Sequence, residues 1–476
     1  MTESYQFDVL YLGAGHGTFD GAVPLANSGK KVAIIEADKI GGTCPNRGCN
    51  AKITLDNPVQ LLRHQERLDG IVNGDLKLDW TANVEHEHEV IDGLPDMITG
   101  LLESVDIEII HGRGKFVDAH TIEVDQQRYT ADKIVIATGL RPHHLDVMGS
   151  ELTHDSTDFM NLKQLPENIV IIGAGYIGME FATIANAAGT NVTVLLRHNR
   201  ALRKFNQDYV KQVIADLEKR GVKFIYNAQV DRFEEDGSHF TVSYNDHETL
   251  TTDWILDATG RIPNIENIGL DEVGVSYNAN GIEVNDHLQT NIDNIYASGD
   301  VIDKEQPKLT PTAIFESNYL TQLFTGKTTD AINYPPIPTI VFTSPQIAQV
   351  GMSVEEAQQN PDYTIKTNHL PDEWFRQVDK ETIGDNTLIY DQDHHLVGAA
   401  EVSEHAADAI NVLLPAIEFQ YTAEQLGRIV PLFPTLGADV WSQIKKNAEP
   451  LLRRLGIFLL LLADCKKTLA FLQSRL

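Results

Sequence analysis

The sequence predicts an α/β fold with two Rossmann-like dinucleotide-binding domains followed by a C-terminal α+β domain. Two glycine-rich turns, Gly13-Ala-Gly15-His16-Gly17 and Gly173-Ala-Gly175-Tyr176-Ile177-Gly178, each sit between an apolar run and a helical pattern. A second apolar run closes each pattern, which makes two βαβ units. Beyond Pro335-Pro-Ile-Pro338 the chain reads as strands and helices without a glycine fingerprint of its own.

Residues 7–12, Phe-Asp-Val-Leu-Tyr-Leu, read as a buried parallel strand. The first glycine turn leads into a helix that runs to about Gly29, and residues 31–36 form the next strand. Gly13, Gly15 and Gly17 let the backbone approach a pyrophosphate at the helix N-terminus. Glu36 closes the second strand, where a carboxylate can bind a ribose hydroxyl pair. Residues 54–66 and 84–105 read as helical, and residues 111–136 as an antiparallel meander. The second unit occupies residues 168–196. Two apolar strands, Ile134 to Gly139 and Ile255 to Gly260, end alike in Ala-Thr-Gly beside the expected cofactor sites. Residues 290–300 end a strand in Asp300, and a helix begins near Thr310.

Residues 41–49, Gly-Gly-Thr-Cys-Pro-Asn-Arg-Gly-Cys, hold two of the chain's three cysteines. A structural metal needs about four ligands, and no further Cys or paired His lies near Cys44 and Cys49. A redox dithiol needs only a partner thiol and an electron source, and the preceding fingerprint supplies the source. The competing reading is a pair of incidental thiols.

Bulk properties narrow the class. The chain has 476 residues and a net charge of −30 at pH 7. That charge argues against nucleic acid and anionic membrane surfaces as partners. Three cysteines do not make a secreted disulfide framework. The first residues show neither a basic start nor an apolar h-region, so a cytoplasmic location is expected. The longest apolar run, residues 457–463, is far short of the roughly 20 residues that span a bilayer.

Taken in order, these motifs resemble the FAD-dependent pyridine nucleotide-disulfide oxidoreductases, which include glutathione reductase, dihydrolipoamide dehydrogenase and mercuric reductase. The resemblance covers roughly residues 5–450 and makes the last domain a dimerisation domain. It divides the chain into an FAD-binding domain in two parts (1–149 and 263–335), an NAD(P)-binding domain (150–262), a dimerisation domain (336–450) and a C-terminal extension (451–476). The first βαβ unit would hold the ADP part of FAD, with Glu36 on the ribose and Asp300 on the ribityl chain. Gly42, Thr43, Thr138, Gly139 and Thr310 would complete the flavin site. The second unit, with Gly173, Gly175, Ile177, Gly178 and Gly260, would hold the nicotinamide nucleotide, and Tyr176 would gate its pocket. Lys52 and Glu180 match an ion pair beside the flavin. Cys49 would be the charge-transfer thiolate and Cys44 the thiol that attacks the acceptor.

Leu196 stands where a family member that uses NADH carries an acidic residue. Arg197 and Arg203 follow it and match the arginine pair of NADPH-using relatives, so NADPH rather than NADH is expected. The pattern breaks near the C-terminus. Phe433 and Ala438 replace the histidine and glutamate of the family's His-Pro-Thr-x-x-Glu, and Val23 replaces an arginine used for glutathione. These departures count against ordinary glutathione or lipoamide turnover, while the resemblance as a whole implies a small disulfide or oxidised thiol compound as the acceptor. Alternatives are hypothiocyanite, a metal ion, or a flavin-level reduction of quinone or oxygen. His16 either supplies the missing proton transfer or packs against the FAD phosphates and backbone.

Overall fold

The structure is a computed structural model and describes residues 5–448. The expected C-terminal extension, with Cys465 and the apolar run at 457–463, lies outside the described residues.

In the first sheet, Phe7–Leu12 pairs in parallel with Val32–Glu36 on one side and Gln127–Ile136 on the other. Its near-continuous apolar sequence follows from that central place, because a strand with neighbours on both edges and helices on its faces is buried all round. Glu108–His111 extends the sheet beyond Val32–Glu36, and Ile295–Ala297 extends it beyond Gln127–Ile136. The strands Lys115–Asp118 and Thr121–Val124 form an antiparallel meander with the start of Gln127–Ile136.

The second sheet repeats this plan. Asn168–Ile172 lies between Asn191–Leu196 and Trp254–Asp257, with Lys223–Tyr226 outermost. An antiparallel meander, Val230–Asp236, His239–Tyr244 and Glu248–Thr252, again precedes the returning strand. Each glycine fingerprint thus emerges at the carboxyl end of a parallel sheet, where such folds bind ligands. The short strands Leu140–Pro142 and Arg261–Pro263 pair antiparallel and tie the two sheets together.

One expected helix is two. Trp80–Ile91 and Leu94–Glu103 cover the 84–105 stretch, and the break falls at Asp92 and Gly93. Pro95 sits in the first turn of the second helix, where its missing N–H costs nothing.

Two compact units emerge from the packing. The first contains both parallel sheets. The second begins its main run at Pro338 and also takes in Arg67–Ile71 and Arg203–Asp216. Its antiparallel sheet runs in the order Thr339–Val341, Gln346–Gly351, Leu396–Ser403, Asp385–Tyr390, Thr364–His369. The helix Ala406–Glu418 packs on it through Ile410 and Leu413, and Leu436–Ala448 packs on that helix through Val440 and Ile444.

Within the second unit Arg376 is completely buried among three carboxylates. Its guanidinium lies 2.8 Å from Glu401 Oε1, 3.4 Å from Glu381 Oε1 and 3.6 Å from Asp439 Oδ2. Asp439, next to Ala438, is therefore engaged with Arg376 and with Gln443, 3.2 Å away. No helix among the described residues is long and apolar enough to cross a membrane.

Candidate functional site

The first glycine turn is built for close backbone approach. Gly13 has φ +109°, and a Cβ there would meet Ala137 O at 2.4 Å, the end of the neighbouring strand. Gly173 repeats the arrangement against Ala258 O, at φ +102° and 2.7 Å. The Ala-Thr-Gly strand ends at 139 and 260 thus abut the first glycine of each fingerprint. Thr138 is fixed by reciprocal bonds with Asn264, at 2.7 Å from its hydroxyl and 2.8 Å to its carbonyl. Glu36 accepts from the Ala14 amide at 2.7 Å and the Asp38 amide at 2.8 Å, which holds its carboxylate beside the turn.

The segment that leads to the cysteines touches this turn. A Cβ on Gly42 would lie 2.9 Å from Gly15 Cα. Thr43–Arg47 forms a short helix that carries Cys44, and Cys49 opens the long helix Cys49–Arg67. Both cysteines are free thiols. Cys49 Sγ lies 3.6 Å from Thr310 Oγ1, at the start of the helix Thr310–Phe324. A sulfur at helix N-termini is held as thiolate by their positive ends.

The two thiols are driven apart in acidity. The hydrogen bond with Cys44 brings the Cys49 thiol down to about 6, with Thr310, Lys52 and His16 helping against burial. Cys44 is pushed up by that same bond, by burial and by the Cys49 charge. Ionisation is therefore favoured at Cys49 over Cys44.

Lys52 lies one turn along from Cys49, and its Nζ is 3.4 Å from Glu180 Oε1, with both side chains nearly buried. Glu180 belongs to the helix Tyr176–Ala187, so this pair joins the second fingerprint to the dithiol. Tyr176 opens that helix with 47 % of its surface exposed. Arg261, Asp300, Glu180 and Cys49 are its charged neighbours. Gly178 packs so closely that a Cβ would meet Gly173 O at 2.1 Å, while Gly175 and Ile177 line the turn. Arg197 is exposed immediately beyond the strand Asn191–Leu196. Arg203, also exposed, belongs to the segment of the second unit that starts with it.

Asp300 sits in a tight turn over Gly299–Val301. Burial pushes its carboxyl up, and its Oδ1 is buried without a hydrogen-bond partner among the described residues. An orphaned buried acceptor is costly unless a ligand donates to it. A ribityl hydroxyl of FAD is such a donor, and the glycine-lined cradle beside it has the backbone approach that a pyrophosphate requires. The residues present fit the cofactor.

Two residues that sequence reasoning missed hold this turn. Glu316 accepts from the Gly299 amide at 2.7 Å, from Lys304 Nζ at 2.6 Å and from the Tyr334 hydroxyl at 2.8 Å. The Glu316 side chain is fully buried and that of Lys304 nearly so. A lone Lys and a lone Glu carry no motif, so only their shared burial exposes them. Asp20 was missed too. Its Oδ2 lies 2.7 Å from His16 Nδ1, and the Phe19 ring packs 4.6 Å from the imidazole. An acid four residues after the His on a helical pattern was the available signal.

Phe433 is 70 % exposed, with its ring 5.6 Å from Trp374, and brings no acid–base group. Among the described residues Asp379, Glu381 and His405 have ligand-type atoms within 4.8 Å of one another. His405 Nε2 is 3.2 Å from Asp379, and Arg376 faces Glu381, so internal ion pairs account for this cluster.

Known proteins share this architecture. A glutathione reductase of Nostoc sp. is 32% identical over 91% of this chain and 98% of its own length. A dihydrolipoyl dehydrogenase of Geobacillus stearothermophilus is 32% identical over 90% of this chain and 94% of its own. Among solved structures, the Cu(II) complex of the HOCl-induced flavoprotein disulfide reductase RclA from Escherichia coli superposes with a TM-score of 0.83. It is 26% identical and covers 91% of this chain and 98% of its own. The profile of the pyridine nucleotide-disulphide oxidoreductases matches residues 7–317, and that of their dimerisation domain matches residues 337–443. This chain belongs to the pyridine nucleotide-disulphide oxidoreductase family, flavin-dependent enzymes that act on sulfur groups.

Proposed function

We propose that this protein is a cytoplasmic, homodimeric, NADPH-dependent reductase of a small disulfide or oxidised-thiol acceptor, with Cys44 and Cys49 as its working dithiol. The observation that carries this reading is the pair of unequal thiols. Cys49 is held as a thiolate against Thr310 and Lys52, and Cys44 stays a thiol beside it. A bound FAD supplies the two-electron relay between the nicotinamide nucleotide and the sulfur pair. Gly13, Gly15, Gly17, Gly42, Thr43, Thr138 and Gly139 frame its cradle, with Glu36 and Asp300 as polar anchors. The Lys52–Glu180 pair keeps a cation fixed near the reacting sulfur. Tyr176 covers the nucleotide pocket that Gly173, Gly175, Ile177, Gly178 and Gly260 shape.

Arg197, immediately beyond the strand Asn191–Leu196, would bind the 2′-phosphate of NADPH. Arg197→Ala should raise KM for NADPH by about ten- to a hundredfold, the size of a lost charge-assisted hydrogen bond, and leave KM for NADH nearly unchanged. Steady-state kinetics with both nucleotides checks this. Equal changes for both would remove the NADPH preference from the account.

A second reading has its own support. Phe433, Ala438 and Val23 lack the groups expected for glutathione, and the superposed structure is the Cu(II) complex of an HOCl-induced disulfide reductase. Reduction of hypothiocyanite or a soft metal ion by the same dithiol needs no protonated thiol leaving group. Turnover of a disulfide, hypothiocyanite and Cu(II) in parallel separates the two.

A further inference from the structure

We propose that His16 and Asp20 form the acid–base dyad of this site, with His16 carrying the proton between Cys44 and the leaving thiolate and Asp20 positioning the ring. The inference rests on Cys44 and Cys49 being the working dithiol. The turn that bears His16 packs against the cysteine segment, since Gly15 Cα lies 2.9 Å from a Cβ placed on Gly42, two residues before Cys44. His16 is near enough to Cys49 for a charge on its ring to act on that thiol. Asp20 Oδ2 takes Nδ1 at 2.7 Å, which leaves proton exchange to Nε2. Phe19 supports the ring from one side. Side-chain exposures of 19% and 25% leave the pair sheltered but reachable. Both groups come from the same chain as the cysteines, and Phe433 and Ala438 leave the usual position of such a dyad empty of titratable groups.

For a disulfide R–S–S–R the steps balance as follows. His16 accepts the Cys44 proton as the Cys44 sulfur attacks one sulfur of R–S–S–R. The S–S bond breaks, a Cys44–S–S–R bond forms, and the expelled RS⁻ takes the proton from His16 and leaves as RSH. The Cys49 thiolate then attacks Cys44 Sγ, which closes the Cys44–Cys49 disulfide and expels the second RS⁻, protonated from water. The dithiol loses two electrons and the acceptor gains them.

The leaving group tests this. Protein reduced with one equivalent of NADPH under anaerobic conditions is mixed with hydroxyethyl disulfide, whose thiolate is a poor leaving group, or with dithiobis(nitrobenzoate), whose thiolate leaves without a proton. Loss of the long-wavelength thiolate–flavin absorption is followed in a single turnover. His16→Ala should slow reoxidation by hydroxyethyl disulfide by about 10²-fold or more and leave dithiobis(nitrobenzoate) nearly unaffected. Asp20→Asn should show the same selectivity with a smaller loss. Equal slowing with both disulfides, no slowing, or loss of FAD from His16→Ala would overturn the dyad, as would an unaltered rate in Asp20→Asn for the role of Asp20. Failure of the unaltered protein to develop that absorption would instead defeat the underlying dithiol reading.

Discussion

Cys44→Ser should cut NADPH-driven reduction of a disulfide acceptor by on the order of 10³-fold or more, the usual consequence of removing a covalent nucleophile. Reduction of a quinone by the same variant should continue, because that electron path does not need an attacking thiol. Cys49→Ser should lose disulfide turnover as fully but differ by absorption. It removes the thiolate that the Cys44 hydrogen bond, Thr310, Lys52 and His16 stabilise, so its thiolate–flavin band should vanish, whereas Cys44→Ser keeps it. The band also has a pH signature. A thiol lowered to about 6 is thiolate above that pH and protonated below it, so the band should fade as pH drops through about 6. Disulfide turnover that survives Cys44→Ser would make the protein a flavin-level reductase.

Arg376→Met should lower the stability of the second unit by about 3–5 kcal/mol, the cost of leaving buried partner charges uncompensated. The guanidinium faces Glu381, Glu401 and Asp439, all in the interior. Methionine fills most of the volume and none of the charge. The carboxylates must then take up protons or water, and the sheet–helix contact around Asp439 must loosen. Thermal unfolding of the holoprotein, followed through the tryptophan signal, should show a clear drop in Tm. A Tm unchanged by the substitution would mean that these carboxylates are already neutral.

Much of this was legible in the chain. The fingerprints declare themselves because backbone approach at Gly13 and Gly173 admits no side chain. Cys44 and Cys49 were visible by scarcity, and the missing acid–base pair by Phe433 and Ala438. Three-dimensional packing was needed for the rest. Lys304 and Glu316 are an ordinary Lys and Glu until both are seen buried at 2.6 Å behind Asp300. Asp439 has no sequence motif, and only its place against the buried Arg376 gives it a role. Arg67–Ile71 and Arg203–Asp216 belong to the second unit, a grouping that no local sequence pattern signals. Asp92 and Gly93 divide a stretch that periodicity alone reads as one helix.

The central claim is that electrons from NADPH come to rest on the Cys44–Cys49 pair, with Cys49 as thiolate. An anaerobic NADPH titration of the FAD-loaded protein near neutral pH, followed by visible absorption with NADH in parallel, tests it most directly. A long-wavelength charge-transfer band should grow in with the first equivalent of NADPH and form poorly with NADH. Direct bleaching of the flavin without that band would contradict it.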